Sequence, residues 1–168
     1  MNIVLTGFMA SGKTEISKAI AEISDRLLID TDDLVVESEG MSINDIFAKR
    51  GEEYFRKAEH EAVKRAAKAG NAVIATGGGA VLNKANMDEL RKTGKIFNLA
   101  PDFEVIEERL AAAAATRPLL KNQDIEAVRK RFNDRLPFYN NCDCKIHVTN
   151  GKSPWEYAEE ILKLMNEN

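Results

Sequence analysis

The sequence contains few residues that cross-link a chain or bind a metal: 168 residues include only two cysteines and two histidines. Cys142 and Cys144 are two positions apart and cannot form the disulfide framework of a small secreted domain. Together with Asp143 and His147 they offer too few ligands, without a second pair, for a closed zinc site. We therefore interpret the segment around Cys142 as the start of a strand.

The sequence also lacks an excess of positive charge and a long hydrophobic run. Its formal net charge is −3, and the absence of a basic stripe argues against nucleic acid as a partner. No apolar run approaches the ~20 residues of a membrane-spanning helix, and residues 1–4 lack the charged leader of a signal peptide. We predict one domain, a cytoplasmic enzyme that binds neither nucleic acid nor membrane.

A phosphate-binding motif is the strongest signal that is present. Residues 7–14 read G-x-x-x-x-G-K-T, between an apolar run at 3–5 and a helical pattern from 14 to 23. Such a loop binds phosphates through backbone N–H groups and the positive end of the following helix. Lys13 is expected to reach the β- and γ-phosphates, and Thr14 to bind Mg²⁺. The predicted ATP-binding residues of the loop are Gly7, Ala10, Ser11, Gly12, Lys13 and Thr14.

Short apolar runs alternate with helical patterns along the chain. The predicted strands cover residues 3–6, 27–30, 72–76, 96–99 and 145–149. The predicted helices cover 13–23, 32–38, 43–69, 84–92, 102–110, 125–141 and 154–165. Gly40 and Gly51 interrupt the second helical region, which therefore consists of two or three helices. This alternation predicts an α/β fold with a parallel sheet and helices on both faces.

Two carboxylates follow the second predicted strand. Asp30 and Asp32 are two positions apart, so in an extended backbone they share a face at the edge where ligands bind. Beside a phosphate loop they could hold Mg²⁺ and orient a hydroxyl nucleophile. The structural alternative is a cluster that caps the next helix, and we assign that role to Asp33.

Three glycines, Gly77, Gly78 and Gly79, end the third predicted strand. A tight turn needs only one or two glycines, so we interpret the set as a backbone that approaches a ligand and offers free N–H groups. Arg56 and Arg135 could each bind a carboxylate, but singly either could be a surface arginine.

Residues 111–115 are five consecutive alanines that precede Arg117 and Pro118. The run extends the preceding helix, because alanine favours helices, or it stands for unassigned side chains of a mobile loop. Pro118 disfavours helix at Arg117. We therefore predict a lid over residues 111–122, with Arg117 neutralising phosphate charge during transfer.

Together these motifs resemble the shikimate kinases over nearly the whole chain. The matching segments are G-x-x-x-x-G-K-T at 7–14, D-T-D at 30–32, S-I-N-D-I-F at 42–47, G-E at 51–52, F-R-K-x-E at 55–59, G-G-G at 77–79, R-P-L-L at 117–120 and R-x-P-x-Y at 135–139. The resemblance implies a three-layer P-loop fold of the nucleoside-monophosphate-kinase type, with strand order 2-3-1-4-5. The implied reaction transfers the γ-phosphate of ATP to the 3-hydroxyl of shikimate in aromatic amino-acid biosynthesis. We expect the enzyme to be a monomer.

The resemblance also implies a role for each matching residue. Asp30 lies near Mg²⁺, and Asp32 holds the shikimate hydroxyls and acts as base. The remaining substrate residues are Arg56, Glu59, Gly77, Gly78, Gly79 and Arg135. Asn150 and Pro154 flank the adenine, and residues 32–62 form the acceptor-binding region. The chain departs from the family at Ala10, where a third glycine is common.

Three other functions are compatible with a phosphate loop. A gluconate kinase would share the fold, but the paired arginines and triple glycine argue against it. A GTP-binding switch needs an N-K-x-D motif, and residues 83–86 end in Asn. A catalytically inactive regulatory domain is opposed by the intact Lys13 and Asp32.

Overall fold

A five-stranded parallel sheet forms the centre of the molecule. The structure is a computed structural model, which describes residues 1–116 and 124–167. The strands are β1 (Asn2–Gly7), β2 (Leu27–Asp30), β3 (Ala72–Ala75), β4 (Gly94–Pro101) and β5 (Cys144–Val148). They pair in the order β2-β3-β1-β4-β5, and every pair is parallel. The predicted fold class and strand order are confirmed.

Seven α-helices connect or flank these strands within the described residues. They are α1 (Lys13–Ser24), α2 (Thr31–Glu39), α3 (Ile43–Ala67), α4 (Lys84–Thr93), α5 (Phe103–Thr116), α6 (Ile125–Tyr139) and α7 (Pro154–Asn166). A 3₁₀ turn at Ala80–Leu82, which the sequence did not predict, follows the glycines. The alanine run is helical and extends α5 to Thr116, beyond the predicted end at residue 110. No helix in the described parts is long and apolar enough to cross a bilayer.

Two hydrophobic cores lie on opposite faces of the sheet. Successive residues of β1 alternate between them: Ile3 and Leu5 pack with α1 and α7, whereas Val4 packs with α3, α4 and α6. This alternation follows from the two-residue repeat of a strand. Because both faces are covered, β1 is completely buried, and its central residues 3–5 form an apolar run.

The pairing register of the strands brings three chain segments to one edge of the sheet. Leu5 of β1 lies opposite Ala75 of β3, and Ala75 lies opposite Asp30 of β2. The loops that follow these three strands therefore leave the sheet side by side at its carboxyl edge. This is the edge at which open parallel sheets bind ligands.

The helices α2 and α3 form a smaller core beside this edge, centred on Val35, Ile46 and Phe55. Helix α2 ends at Glu39 and is capped by Gly40, which adopts a left-handed conformation. Helix α3 is interrupted at Gly51, whose φ of 84° and ψ of 172° are non-helical. The predicted interruptions at both glycines are confirmed, and the helical axis of α3 changes direction at the second.

Candidate active site

The loop between β1 and α1 has the conformation that its sequence predicts. Gly12 is left-handed with φ 97° and immediately precedes α1. A Cβ on Gly7 would lie 2.6 Å from the Ser11 hydroxyl, so only glycine allows the loop to fold back this closely. Ala10 has a φ of 60°, a conformation that costs a residue with a Cβ roughly 1–2 kcal/mol. The backbone thus explains why glycine suits position 10.

The Lys13 side chain folds back over the loop. Its Nζ donates to the carbonyl oxygens of Gly7, at 2.5 Å, and Phe8, at 3.2 Å. Burial lowers the pKa of Lys13 from 10.5 to about 8, while the negative charges of Asp32 and Asp30 oppose this shift. A phosphate group in the loop would add negative charge beside the ammonium group and favour its protonated form.

Asp30 and Asp32 reach the same cleft by a different route from the one predicted. Asp30 is the N-cap of α2, and its Oδ1 accepts from the Asp32 N–H at 2.8 Å. The assignment of the cap to Asp33 was therefore wrong. Asp30 is extended, but the helix already begins at Thr31, so the extended backbone does not continue to Asp32 as predicted. Asp32 enters the cleft as a residue of the first helical turn.

Asp30 and Asp32 are close enough for their negative charges to repel each other, and this repulsion favours a bound cation. Burial raises the pKa of Asp30, and it also raises the pKa of Asp32, with a further increase from the charge of Asp30. Within the described residues no three His, Cys, Asp or Glu side chains are grouped to hold a metal. A Mg²⁺ bound through one carboxylate, the Thr14 hydroxyl, water and phosphates fits this donor set.

Arg56 projects from α3 into the cleft between a carboxylate and the glycines. Its Nη1 donates to Glu59 Oε1 at 2.9 Å, and the Glu59 side chain is almost fully buried. Burial raises the pKa of Glu59, and the charge of Arg56 opposes this effect. Glu59 therefore contacts the predicted carboxylate-binding arginine and holds its guanidinium in place.

Each of the three glycines faces a different functional side chain. A Cβ on Gly77 would lie 2.5 Å from Asp32 Oδ1, and a Cβ on Gly79 would lie 2.5 Å from Arg56 Nη1. A Cβ on Gly78 would be 3.7 Å from Arg135 Nη1. The glycines allow the charged groups of the cleft to lie directly against the backbone.

Side chains that were not predicted fix the glycine segment. Thr31 is fully buried, and its hydroxyl accepts from the Gly77 N–H at 3.1 Å. The Gly77 N–H is therefore not free for a ligand, contrary to the prediction from sequence. The hydroxyl of Tyr139 donates to the Gly78 carbonyl at 2.6 Å, and burial raises the pKa of Tyr139.

Most of the predicted residues line one cleft of about 380 Å³. Its walls include the predicted residues Lys13, Thr14, Asp30, Asp32, Arg56, Glu59, Gly77, Gly78, Gly79 and Arg135. The guanidinium of Arg135 lies 5.9 Å from the centre of the Phe8 ring in the phosphate loop. Two arginines from α3 and α6, a lysine and three carboxylates thus converge on one space.

A second pocket, of about 140 Å³, adjoins the phosphate loop at Gly12. Gly12 and Pro154, both predicted nucleotide-binding residues, line it together with Arg109. Arg109 donates to the Ala10 carbonyl at 2.8 Å and to Asn150 Oδ1 at 2.9 Å. Arg109 was not predicted from the sequence, because its partners are far away in the chain. The pocket connects the loop to the segment predicted to flank adenine.

Two further predictions concern the lid with Arg117 and the segment near Cys142. Arg117, and with it residues 117–122 of the predicted lid, lies outside the described residues, so its role stays a prediction. Near Cys142, the carboxylate of Asp143 accepts from the Ile96 N–H at 2.7 Å and pairs with Arg91 at 3.5 Å. This segment leads into β5, as the strand interpretation predicted.

Comparisons with known proteins agree with this geometry. The family model described as shikimate kinase matches residues 9–166. The shikimate kinase of Caldicellulosiruptor bescii is 48% identical over 164 residues, which cover 97% of this chain and 94% of the relative. That of Caldanaerobacter subterraneus subsp. tengcongensis is 47% identical over 163 residues, or 96% of this chain and 94% of the relative.

Solved structures extend the similarity to three dimensions. The shikimate kinase of Acinetobacter baumannii, in complex with shikimate, has a TM-score of 0.85 at 32% identity and covers 97% of this chain and 91% of its own. A sugar kinase from Janibacter, at 19% identity, covers 96% of this chain and 92% of its own with a TM-score of 0.62. The second similarity shows the fold alone. Since the family model and the two close relatives span nearly the whole chain, it belongs to the shikimate kinase family.

Proposed function

We propose that this protein transfers the γ-phosphate of ATP to the 3-hydroxyl of shikimate, giving shikimate 3-phosphate and ADP. The observation that supports this most strongly is the convergence of Lys13, Asp32, Arg56 and Arg135 on one cleft. A small carboxylated polyol needs cations at one end and a hydrogen-bond acceptor at its reacting hydroxyl. The cleft offers both beside a phosphate-binding loop.

Two arginines would bind the carboxylate of shikimate. Arg56 and Arg135 lie against Gly79 and Gly78 respectively, so both guanidinium groups face the glycine segment. Guanidinium groups bind carboxylates through paired, charge-assisted hydrogen bonds. The buried Glu59 keeps Arg56 oriented before the substrate arrives, which reduces the entropy lost on binding.

Asp32 would orient the nucleophile and accept its proton. Burial and the nearby Asp30 raise the pKa of Asp32, which makes its carboxylate a stronger base than an exposed aspartate. The close approach to Gly77 fixes the carboxylate on one side of the cleft. In phosphoryl transfer, such positioning is most of what the protein contributes.

Lys13 would stabilise the negative charge on the transferred phosphoryl group. In the structure its ammonium group is held by carbonyl oxygens of the loop, and it must leave them to contact the phosphates. Thr14 and Asp30 would hold Mg²⁺, which supplies charge neutralisation on the phosphates when bound. Arg117 would add a second cation from the predicted lid.

The nucleotide base would lie in the pocket of Gly12, Arg109 and Pro154. A guanidinium group can stack on an aromatic ring such as adenine, and Asn150 holds Arg109 in this position. Acceptor binding is assigned to the region 32–62 together with α6. We further propose a cytoplasmic monomer that acts on a small molecule rather than on nucleic acid or at a membrane.

A coupled assay of ADP release tests the proposal. Shikimate, gluconate and no acceptor are compared, each with ATP and with GTP. We expect turnover with shikimate and ATP, and ³¹P NMR should locate the phosphate on the 3-hydroxyl. Preference for gluconate would instead support the alternative kinase, and equal nucleotide hydrolysis without an acceptor would contradict an acceptor kinase.

A further inference from the structure

Asn86 is a fully buried polar residue of α4. Both ends of its amide have partners. Nδ2 donates to the Ala80 carbonyl at 3.0 Å, and Oδ1 lies 2.7 Å from Nδ1 of His60. Ala80 begins the 3₁₀ turn that directly follows Gly79. Asn86 therefore links the end of the glycine segment to helix α3.

The Ala80 carbonyl determines which ring nitrogen of neutral His60 carries the proton. A carbonyl oxygen can only accept a hydrogen bond, so the amide nitrogen of Asn86 must face Ala80 and the amide oxygen must face His60. An amide oxygen also only accepts, so Nδ1 of His60 must donate. Neutral His60 is thus held with its proton on Nδ1, and Nε2 carries the free lone pair.

The same bonds connect Arg56 to the backbone against which it packs. His60 follows Arg56 by four residues on α3, so the two side chains share a face of the helix. Arg56 rests against Gly79, and Ala80 next to Gly79 is bound through Asn86 to His60. Helix α3 is therefore connected to the glycine segment in two ways, by the contact of Arg56 with Gly79 and by the hydrogen bonds from His60 through Asn86.

We propose that His60 and Asn86 are positioning residues that set the distance between α3 and the glycine segment, and hence the place of the Arg56 guanidinium. Glu59 holds Arg56 from within α3, whereas His60 and Asn86 fix the surface that Arg56 meets. The effect on catalysis rests on the proposed function, since Arg56 is there the ligand of the shikimate carboxylate. The position of the His60 proton does not depend on it.

The proton position can be measured directly. The chain contains two histidines, His60 and His147, so a long-range ¹H–¹⁵N correlation spectrum of ¹⁵N-histidine-labelled protein has two ring systems. His147→Leu identifies their signals. At a pH above the imidazole range, His60 should show a protonated Nδ1 and an unprotonated Nε2. A neutral His60 protonated on Nε2 would overturn the inference.

Kinetics test the positioning role. His60→Leu removes the donor, and we expect the KM for shikimate to rise about five- to tenfold, as for one lost buried hydrogen bond. The KM for ATP and kcat should change less than about twofold, because the displaced Arg56 is the proposed ligand of the shikimate carboxylate and not of ATP. His60→Asn places an amide donor where Nδ1 was and should restore most of the affinity.

Controls separate this inference from the proposed function. His147→Leu removes an exposed histidine and should leave both KM values unchanged. Asn86→Leu should raise the KM for shikimate at least as much as His60→Leu, and circular dichroism checks its fold. Failure of the unaltered protein to phosphorylate shikimate would refute the proposed function, whereas an unchanged KM for shikimate in folded His60→Leu would refute the positioning role.

Discussion

Gly79 and Arg56 are in such close contact that no side chain fits between them: a Cβ on Gly79 would lie 2.5 Å from Nη1 and 2.6 Å from Nη2 of Arg56. The guanidinium group is in turn bound to the buried Glu59, so it cannot move away without breaking that pair. The backbone at position 79 therefore helps to position the Arg56 guanidinium group.

Gly79→Ala should displace Arg56 and weaken shikimate binding. We expect the KM for shikimate to rise at least tenfold, equivalent to about 1.4 kcal/mol, with a smaller change in the KM for ATP. Gly70→Ala is the matched control, since a Cβ there meets nothing within 4 Å. Equal KM values in the two alanine variants would contradict a steric role for Gly79.

Loss of either clamp arginine should affect the acceptor far more than the nucleotide. Arg56→Ala and Arg135→Ala should each lose on the order of 1.5–3 kcal/mol of shikimate binding, the value of a charge-assisted hydrogen bond. Calorimetry with shikimate and with an ATP analogue measures both. Arg131→Ala, an exposed arginine one turn before Arg135, is the control. Unchanged shikimate affinity in both variants would eliminate the paired clamp.

Lys13→Met should abolish turnover, and it should make the free energy of unfolding less dependent on pH. Folding lowers the pKa of Lys13 from 10.5 to about 8, so between these values the unfolded chain binds more protons and stability rises with pH. Below about pH 8 the buried charge costs its full amount. Lys13 is partly exposed, and solvent therefore screens part of this effect. We expect the charged Lys13 to lower the free energy of unfolding at neutral pH by on the order of 1–2 kcal/mol.

Urea denaturation at several pH values measures this effect. The stability of Lys13→Met relative to the unaltered protein should be greatest at neutral pH and should fall as the pH approaches about 10. The difference between the two proteins isolates Lys13 from other titrating groups. A difference that is constant with pH would show that burial does not perturb Lys13.

Ala10→Gly should stabilise the loop slightly. The left-handed backbone at Ala10 costs roughly 1–2 kcal/mol for alanine, whereas glycine costs about 0.4–1 kcal/mol of additional unfolded-state entropy. We therefore expect a net gain of about 0–1.6 kcal/mol in the free energy of unfolding, with turnover retained. A clear loss of stability would mean that the Ala10 methyl group makes a contact worth more than the strain.

Local sequence patterns predicted the strands, the helices and the phosphate loop, because apolar runs and glycines act over a few residues. The cap of α2 was misassigned to Asp33, since three aspartates within four residues of a helix start look alike until the first helical residue is known. Arg109 and Asn86 escaped prediction for another reason. Their partners Ala10, Asn150 and His60 are brought together only by the fold, so neighbouring positions carry no signal.

The break at Gly51 divides α3 into two parts that are both fixed by packing. Ile46 before the break and Phe55 after it share the small core, and beyond Phe55 the helix reaches the cleft with Arg56 and the main core with Val63. One residue inserted after Gly51 and before Arg56 would rotate the preceding part by about 100° against the cleft or turn Arg56 out of it. Length variation in natural or engineered variants should therefore accumulate at the turn between α2 and α3.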